Sequence, residues 1–368
     1  MRLATYNVEN LFSRAKAMNL GSWAEGRPVL QRFAALNELL GEAVYTDAAK
    51  PKMAQLMIEL GLAKSDIGPF VELRRSRGDL LKRPKAGGLE ITAAGRADWI
   101  GSLVLREAPV DETATRLTAR VIADLQADVL AVVEADSRPA LVDFNHALIK
   151  PLGRPFRHIM LIDGNDERGI DVGLMTGPDY PIGPMHSHVD DRTAKGEALF
   201  SRDCAQFHIA TPSGQALVLL VNHLKSKGYG SQVTSNKRRL LQAQRVQAIY
   251  QGLRDQGIEH IAVVGDFNDT PDSAAVAPLL QGELRDAFTH PAFDNGGYPG
   301  TYGTCAKGSK IDYLLLSPAL FAKVQAGGVW RQGLWPGVRP ARWAAYPELT
   351  DPVHAASDHA AAWVDLAL

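Results

Sequence analysis

The chain has 368 residues, 46% of them hydrophobic and 22% charged, a balance that supports a packed core and excludes global disorder. Forty Lys and Arg against 41 Asp and Glu leave a formal charge of -1, so the whole molecule exerts no strong electrostatic pull on nucleic acid, and any basic surface must be local. Cys204 and Cys305 lie far apart without metal-like spacing, no run approaches the roughly 18 apolar residues of a membrane span, and Asn7, Glu9 and Asn10 interrupt the N-terminus early; the expectation is a cytoplasmic protein without disulfide framework, span or secretory leader.

The first element is "MRLATYNVENLF". If Leu3 to Glu9 is extended, Ala4, Tyr6 and Val8 share one face, and Thr5, Asn7 and Glu9 share the other. Polar groups on a strand of this kind indicate either a solvated edge or a site. Apolar residues then recur at helical spacing over 29–40 (Leu30, Phe33, Leu36, Leu40) and 52–60 (Met53, Leu56, Met57, Leu60). The run "RRSRGDLLKRP" follows, with Arg74, Arg75, Arg77, Lys82 and Arg83 close together. It reads as a phosphate-binding patch or, more plainly, as a solvated helix or loop face. "PKAGGLEITAAG" is a turn-rich connection.

An amphipathic helix is expected over 115–125, with Leu117, Val121, Ile122 and Leu125 inward. It leads into "ADVLAVVEAD", an apolar strand ending on Glu134. Further strands are expected at "IDVGLMT", "QFHIAT", "ALVLLVNHLKS", "IAVVGDFND", "KIDYLLLS" and "HAAAWVDLAL", with a long helix over 235–254. Strands interspersed with helices indicate a sheet-rich α/β protein.

These strands end alike. One finishes on Glu134, another on Asn222 and His223, a third on Asp266, Asn268 and Asp269, while Asp312 begins "KIDYLLLS" and "SDH" precedes the last strand. Each feature alone has a structural explanation: Glu134 caps a helix, and Asp266 with Asn268 forms a turn. Together they fit phosphate-ester hydrolysis with a hard divalent ion. Magnesium takes oxygen ligands and is held by one or two carboxylates, which Glu134 with Glu9 or Asp358 can supply. Asp266 beside Asn268 can orient and deprotonate water, and His359, His223 and Asn7 can offer donors to the phosphoryl oxygens.

In order, "YNVEN", "DVLAVVEAD", "NHLKSK", "GDFNDTPDS", "KIDYLLLS" and "SDHAAAWVD" closely resemble the successive motifs of the endonuclease/exonuclease/phosphatase superfamily, over residues 1–13 and most of 112–368. The resemblance implies an α/β fold, a four-layer sandwich of two packed mixed sheets flanked by helices, with the active site at one end of the sheets. By position it makes Glu134 the principal metal-binding glutamate, with Glu9 and Asn7 nearby. Glu9 stands where many relatives have Asp. Asp266 and Asn268 match the pair that positions water and phosphate, Asp358 a metal-site or acid–base carboxylate, and His359 the histidine at the scissile phosphate. Asp312 resembles the residue that orients His359, and His223 a second histidine. Lys225, Arg168 and Asp171 are assigned to substrate binding, with Asp171 also chosen as the carboxylate partner of His223.

The departure from the family pattern is the segment at about 14–111, read as a mainly helical insertion within a single catalytic domain spanning 1–368. It is expected to form a lid or substrate platform carrying the basic run, or else a packed decoration. The function implied is a Mg²⁺- or Mn²⁺-dependent phosphodiesterase, foremost a nuclease acting on DNA or RNA. A phosphatase or phosphodiesterase of a small phosphorylated metabolite, nucleotide, inositol phosphate or phospholipid head group is the alternative. A catalytically dead binding module is disfavoured because the full charged set is retained.

Overall fold

The computed structural model describes residues 1–9, 11, 13–17, 20, 23–166, 169–227, 231–338 and 341–368. The chain forms two compact units, one of residues 1–12, 111–227 and 232–368, the other centred on residues 13–110.

The first unit is built on two mixed sheets. The seven-stranded sheet runs Phe293–Asp294, Val324–Trp330, Ala361–Leu366, Arg2–Asn7, Val129–Ala135, Asp171–Thr176, His158–Ile162. Its centre is the opening strand, parallel to Val129–Ala135 and antiparallel to Ala361–Leu366, so the two ends of the chain lie side by side. The six-stranded sheet runs Ile182–His186, Cys204–Ala210, Ala216–His223, Ile261–Asp266, Asp312–Leu316, Arg285–Asp286.

Alternation within the strands sorts their side chains into three cores. Leu3, Val129, Ala131, Val133, Val172 and Leu174 of the first sheet pack against Phe207, Leu217, Leu219, Val221, Val264 and Leu314 of the second. On the outer face of the first sheet, Ala4, Tyr6, Val8, Leu130 and Val132 meet Leu117, Val121, Ile122 and Leu125 of the helix Glu112–Leu125. Val218, Leu220, Val263, Tyr313 and Leu315 on the outer face of the second sheet meet Ala243, Val246, Ile249, Tyr250 and Leu253 of the helix Gln232–Asp255. Each full burial of a Leu or Val contributes roughly 1.5–3 kcal/mol, so all four layers are held by the same hydrophobic term. The result is the four-layer α/β sandwich that the motif order implied.

The ends of these elements are set locally. Asp111 caps the Glu112–Leu125 helix by accepting from Thr113 N (2.7 Å) and Ala114 N (3.3 Å), and Gln126 closes it at φ 49°. The opening strand stops at Asn7, earlier than the alternation through Glu9 suggested. Glu9 turns to φ 52°, so it leaves the polar face that Thr5 and Asn7 share.

The second unit opens on a short strand, Ser13–Ala15, paired with Glu107–Pro109, continues with the helices Trp23–Leu40 and Ala49–Glu59, and then becomes sheet. Val71–Gly78 pairs antiparallel with Trp99–Leu105, and Leu81–Lys82 with Glu90–Ile91. The insertion, expected to be mainly helical, carries its two long helices in residues 23–59 and is mainly strand after residue 70. Val71 and Leu73, two residues apart, point inward opposite Leu105 and Leu103, a period-two pattern partly hidden beneath the arginines that follow it. Met53, Met57, Leu73, Leu81, Trp99 and Leu103 form this unit's own core.

Arg74, Arg75, Arg77 and Lys82 of the basic run therefore lie on strands, and Arg83 follows directly after one. Arg75 and Arg83 converge on Asp66, at 2.7 and 2.6 Å, and Arg83 also donates to Leu62 O. Burial works against the Asp66 carboxylate, yet the two guanidinium groups hold its pKa below the ordinary value. Arg74, Arg77 and Lys82 are exposed.

Candidate active site

The site is assembled where strands of both sheets end. In the second sheet His223 lies in register with Asp266 on the parallel neighbour, and Asp266 with Asp312 on the antiparallel one. Gly265 makes this alignment feasible: it sits at φ 124°, and a Cβ there would lie 2.0 Å from Asn222 O. Only glycine fits so close an approach of two backbones.

In the first sheet the register jumps. Asp171 faces Ala135 while Val172 faces Val133, leaving Glu134 as the extra residue of a bulge, at φ 66°. A bulge re-aims its side chain, which here turns a residue expected on the helical face toward the other sheet's histidine. Glu134 Oε1 lies 3.5 Å from His223 Nε2. Three of the five non-glycine residues at positive φ among the described residues are site candidates: Glu9, Glu134 and Asn268. Such backbone strain concentrates where side-chain placement outweighs local stability.

Asp266 is the meeting point. Asn7 Nδ2 donates to its Oδ2 (3.2 Å), Asn268 donates through its backbone N–H to Oδ1 (2.7 Å) and through Nδ2 to Oδ2 (3.1 Å), and the Nε2 atoms of His223 and His359 lie 3.7 and 3.9 Å away. Burial, with Asp312 and Glu134 adding to it and His359 opposing, pushes the Asp266 pKa up to about 7. His359 Nδ1 is 2.8 Å from Asp312 Oδ2. Burial alone lowers the pKa of this ring, but the Asp312 carboxylate reverses the effect and raises it well above the usual histidine value.

The "SDH" segment is tied to the first strand. Ser357 Oγ donates to Asn7 O (2.8 Å) and accepts from His359 N (2.9 Å), while Asp358 N donates to Glu9 Oε2 (2.7 Å). Asp358 Oδ1 is 3.7 Å from His359 Nε2.

Among the described residues two clusters present ligand atoms within 4.8 Å of one another: Glu134, His223 and Asp266, and then Asp266, Asp312 and His359. The donor set fits a hard divalent cation, because carboxylate oxygens dominate it and Asp266 is buried against neighbouring negative charge that raises its pKa. A thiolate site is not offered, since Cys204 and Cys305 are both buried and free.

Two sequence candidates, Asp171 and Lys225, fall outside this convergence. Asp171 is buried, its Oδ1 accepting from Gly164 N (2.8 Å), and burial with Asp163 and Asp166 nearby pushes its pKa up to about 7. The carboxylates set against the His223 ring are Glu134 and Asp266. Lys225 is half-buried and its backbone N–H donates to Gln242 Oε1 (2.8 Å). Arg168 lies outside the described residues.

Three further residues belong to the site and were not singled out in the sequence. Thr301 Oγ1 donates to Asp312 Oδ2 (2.6 Å), fixing the carboxylate that holds His359. Ser357 acts as described above. The Tyr302 ring lies 5.0 Å from that of His359, edge to face, and its hydroxyl is held protonated by the charge of Asp358, then by burial, Glu9, Asp266 and Glu134. The only textual signal was adjacency, Ser357 within "SDH" and Thr301–Tyr302 ahead of "KIDY". A groove of about 580 Å³ bounded by Leu117, Arg120, Leu148, Leu152 and His354 shares none of these residues.

The model of the Endonuclease/Exonuclease/phosphatase family matches residues 107–359. No curated protein sequence matches the chain. Among solved structures, an endonuclease/exonuclease/phosphatase family protein from Bacteroides thetaiotaomicron is similar at TM-score 0.50 and 19% identity, over 68% of this chain and 86% of that one. The mannosyl-6-phosphatase of Bacteroides thetaiotaomicron is similar at TM-score 0.50 and 18% identity, over 70% and 92%. The human Nocturnin catalytic domain, solved with a sulfate anion, follows at TM-score 0.49 and 18% identity, over 70% and 87%. At these identities the likeness to solved structures is one of fold.

Proposed function

The chain belongs to the endonuclease/exonuclease/phosphatase family, the match spanning 107–359, and from that premise we propose that it is a Mg²⁺- or Mn²⁺-dependent phosphodiesterase whose substrate is nucleic acid. The phosphoesterase class comes with the family; the ion, the diester preference and the polymer substrate are this reading's own. The observation that carries it is the convergence of Asn7, Asn268, His223 and His359 on the buried carboxylate of Asp266, with Glu134 opposite.

In this reading Glu134 would hold the ion, with Glu9 and Asp358 as the further carboxylates of the site. Once bound, the ion supplies Lewis-acid polarisation of the phosphoryl group. Asp266, with a pKa near neutrality, takes the proton of the attacking water, and Asn268 and Asn7 hold that carboxylate in place. His359, kept cationic by Asp312, presents Nε2–H to a phosphoryl oxygen as negative charge grows there. His223, buried between Glu134 and Asp266, offers a second donor, and Lys225 lies in the same motif. A second histidine and a basic motif beside it suit a diester. Lys225 and Arg168 remain the proposed substrate-binding residues, whereas Asp171, sealed from solvent and bonded to Gly164, is withdrawn from that role.

A cytoplasmic location is part of this proposal, supported by the two free, buried cysteines; no helix among the described residues is long and apolar enough to cross a membrane.

The test is a hydrolysis panel with and without Mg²⁺ or Mn²⁺, across single- and double-stranded DNA, RNA, and small phosphate mono- and diesters, with Glu134→Ala and His359→Ala as controls. Metal-dependent cleavage of polymer, lost in both variants, is the expected result. Activity confined to small esters would sink the nucleic-acid substrate, and confinement to monoesters would sink the diester preference as well.

A further inference from the structure

The helix Gln232–Asp255 buries one stripe along its length: Ser235, Arg239, Gln242, Val246, Ile249, Tyr250 and Leu253. Spacings of three and four are those of a core-facing helix. Toward its C-terminus the stripe is apolar and packs on the second sheet. Toward its N-terminus the same face is polar although fully buried: Arg239 and Gln242 are both 0% exposed. A guanidinium is almost never sealed from water unless its partners are specific.

Those partners are the two loops that carry the site motifs. Arg239 Nε donates to Lys225 O (2.9 Å) and Gln242 Oε1 accepts from Lys225 N (2.8 Å), so the peptide groups on both sides of Lys225 are held by one helix face. Arg239 Nη1 also donates to Asp269 Oδ2 (2.9 Å). Asp269 accepts from Ser273 Oγ (2.8 Å) and pairs with Lys227 Nζ (2.5 Å), and its own carbonyl accepts from Tyr313 Oη (2.8 Å). The two loops are joined directly as well, with Leu224 N donating to Asp266 O (2.9 Å) and Asn268 Nδ2 to Leu224 O (3.2 Å).

We propose that Arg239 is a positioning residue for the phosphoester chemistry, locking the 223–227 and 266–269 loops together through Asp269 and Lys225 so that His223, Asp266 and Asn268 keep a common geometry. The inference rests on the active-site reading above. Asn268 is held at φ 54°, a backbone state its short polar side chain tolerates, by bonds to Asp266 and to Leu224 O, so its placement depends on the 223–227 and 266–269 loops staying together. Arg239 touches no reacting group; its effect passes through the loops. Losing it should therefore lower turnover more than it weakens substrate capture.

The experiment uses the full-length protein with Mn²⁺, bis-p-nitrophenyl phosphate and p-nitrophenyl phosphate as probes, and the variants Arg239→Lys, Asp269→Asn, their double variant and Asp266→Asn. Folded fraction is measured by circular dichroism, and kcat and KM are normalised to it. Each single variant is expected to lose at least about tenfold in kcat with KM changed less than about threefold, and the double variant to be no worse than the poorer single, as members of one unit behave. A folded Arg239→Lys or Asp269→Asn with kcat within twofold of the parent would show a merely structural pair and overturn the proposal. Should Arg239→Lys not fold, Asp269→Asn decides alone. Full turnover in Asp266→Asn would overturn the active-site reading instead.

Discussion

Asp312 and His359, 47 residues apart in the chain, meet at 2.8 Å between a carboxylate oxygen and ring Nδ1. The contact outweighs the cost of burying the ring's charge, so the folded pKa of His359 is above its unfolded value. A group of this kind contributes stability that is fully present below the unfolded histidine pKa and is lost as pH rises through the folded one. Asp312→Asn should lower the ring pKa in an NMR titration of the metal-free protein and flatten that part of the stability profile. Turnover at neutral pH should drop by roughly a hundredfold or more, since the proposed donor would then be neutral. An unchanged ring pKa would refute the pairing.

Glu134 stands at φ 66° in its bulge, where a residue with a Cβ is strained by roughly 1–2 kcal/mol. Glu134→Gly should therefore keep or raise the melting temperature while abolishing metal-dependent turnover and weakening Mn²⁺ binding in calorimetry. A variant that binds Mn²⁺ like the parent would remove Glu134 from the metal assignment.

Asp111 offers a stability prediction away from the chemistry. Burial works against its carboxylate, but the N–H groups of Thr113 and Ala114 hold its pKa below the ordinary value. The cap is thus effective above the unfolded pKa and is lost as pH falls through the folded one. Asp111→Ala should cost about 1 kcal/mol in denaturant unfolding at pH 7, with kcat unaffected. A loss shared equally at pH 7 and below pH 3 would exclude the cap as its source.

Arg74, Arg77 and Lys82 are exposed on the second unit, while Arg75 and Arg83 are engaged by Asp66. If the substrate is a nucleic acid, reversing the three exposed charges to Glu should weaken binding and shrink the slope of log affinity against log salt by about two to three. The same reversal should leave hydrolysis of small esters unaltered. An identical affinity and slope would mean that this face is only solvated surface.

Much of the molecule was legible in the residues themselves. Period-two alternation and short apolar runs located the strands bearing Asn7, Glu134, His223, Asp266 and Asp312, because burial on both faces leaves a signature that is local in sequence. The strands His158–Ile162, Ile182–His186 and Val324–Trp330 were not found: Ile182–His186 is mostly exposed and Val324–Trp330 is interrupted by Gly327 and Gly328, so neither shows the pattern, whereas His158–Ile162 is a short apolar run that was passed over. The second half of the insertion was missed for a related reason: Arg74, Arg75 and Arg77 mask an alternation carried by only Val71 and Leu73.

By itself, the sequence determined which chemical groups stand at strand ends and in what order, since a carboxylate after an apolar run is conspicuous wherever it ends up. Tertiary structure alone decided their partners. Alternation in the first strand ends at Asn7, and only the packing of one sheet on the other brings its amide to Asp266. A bulge one residue long re-aims Glu134 toward His223, and Asp171, chosen as that histidine's partner, faces Gly164 instead. Thr301, Ser357 and Arg239 carried no warning of their roles, because a hydrogen bond spanning 11 to 350 residues leaves no local trace. Local pattern records what each residue buries; hydrogen-bond partnership depends on register and twist, which are settled only when the sheets close on each other.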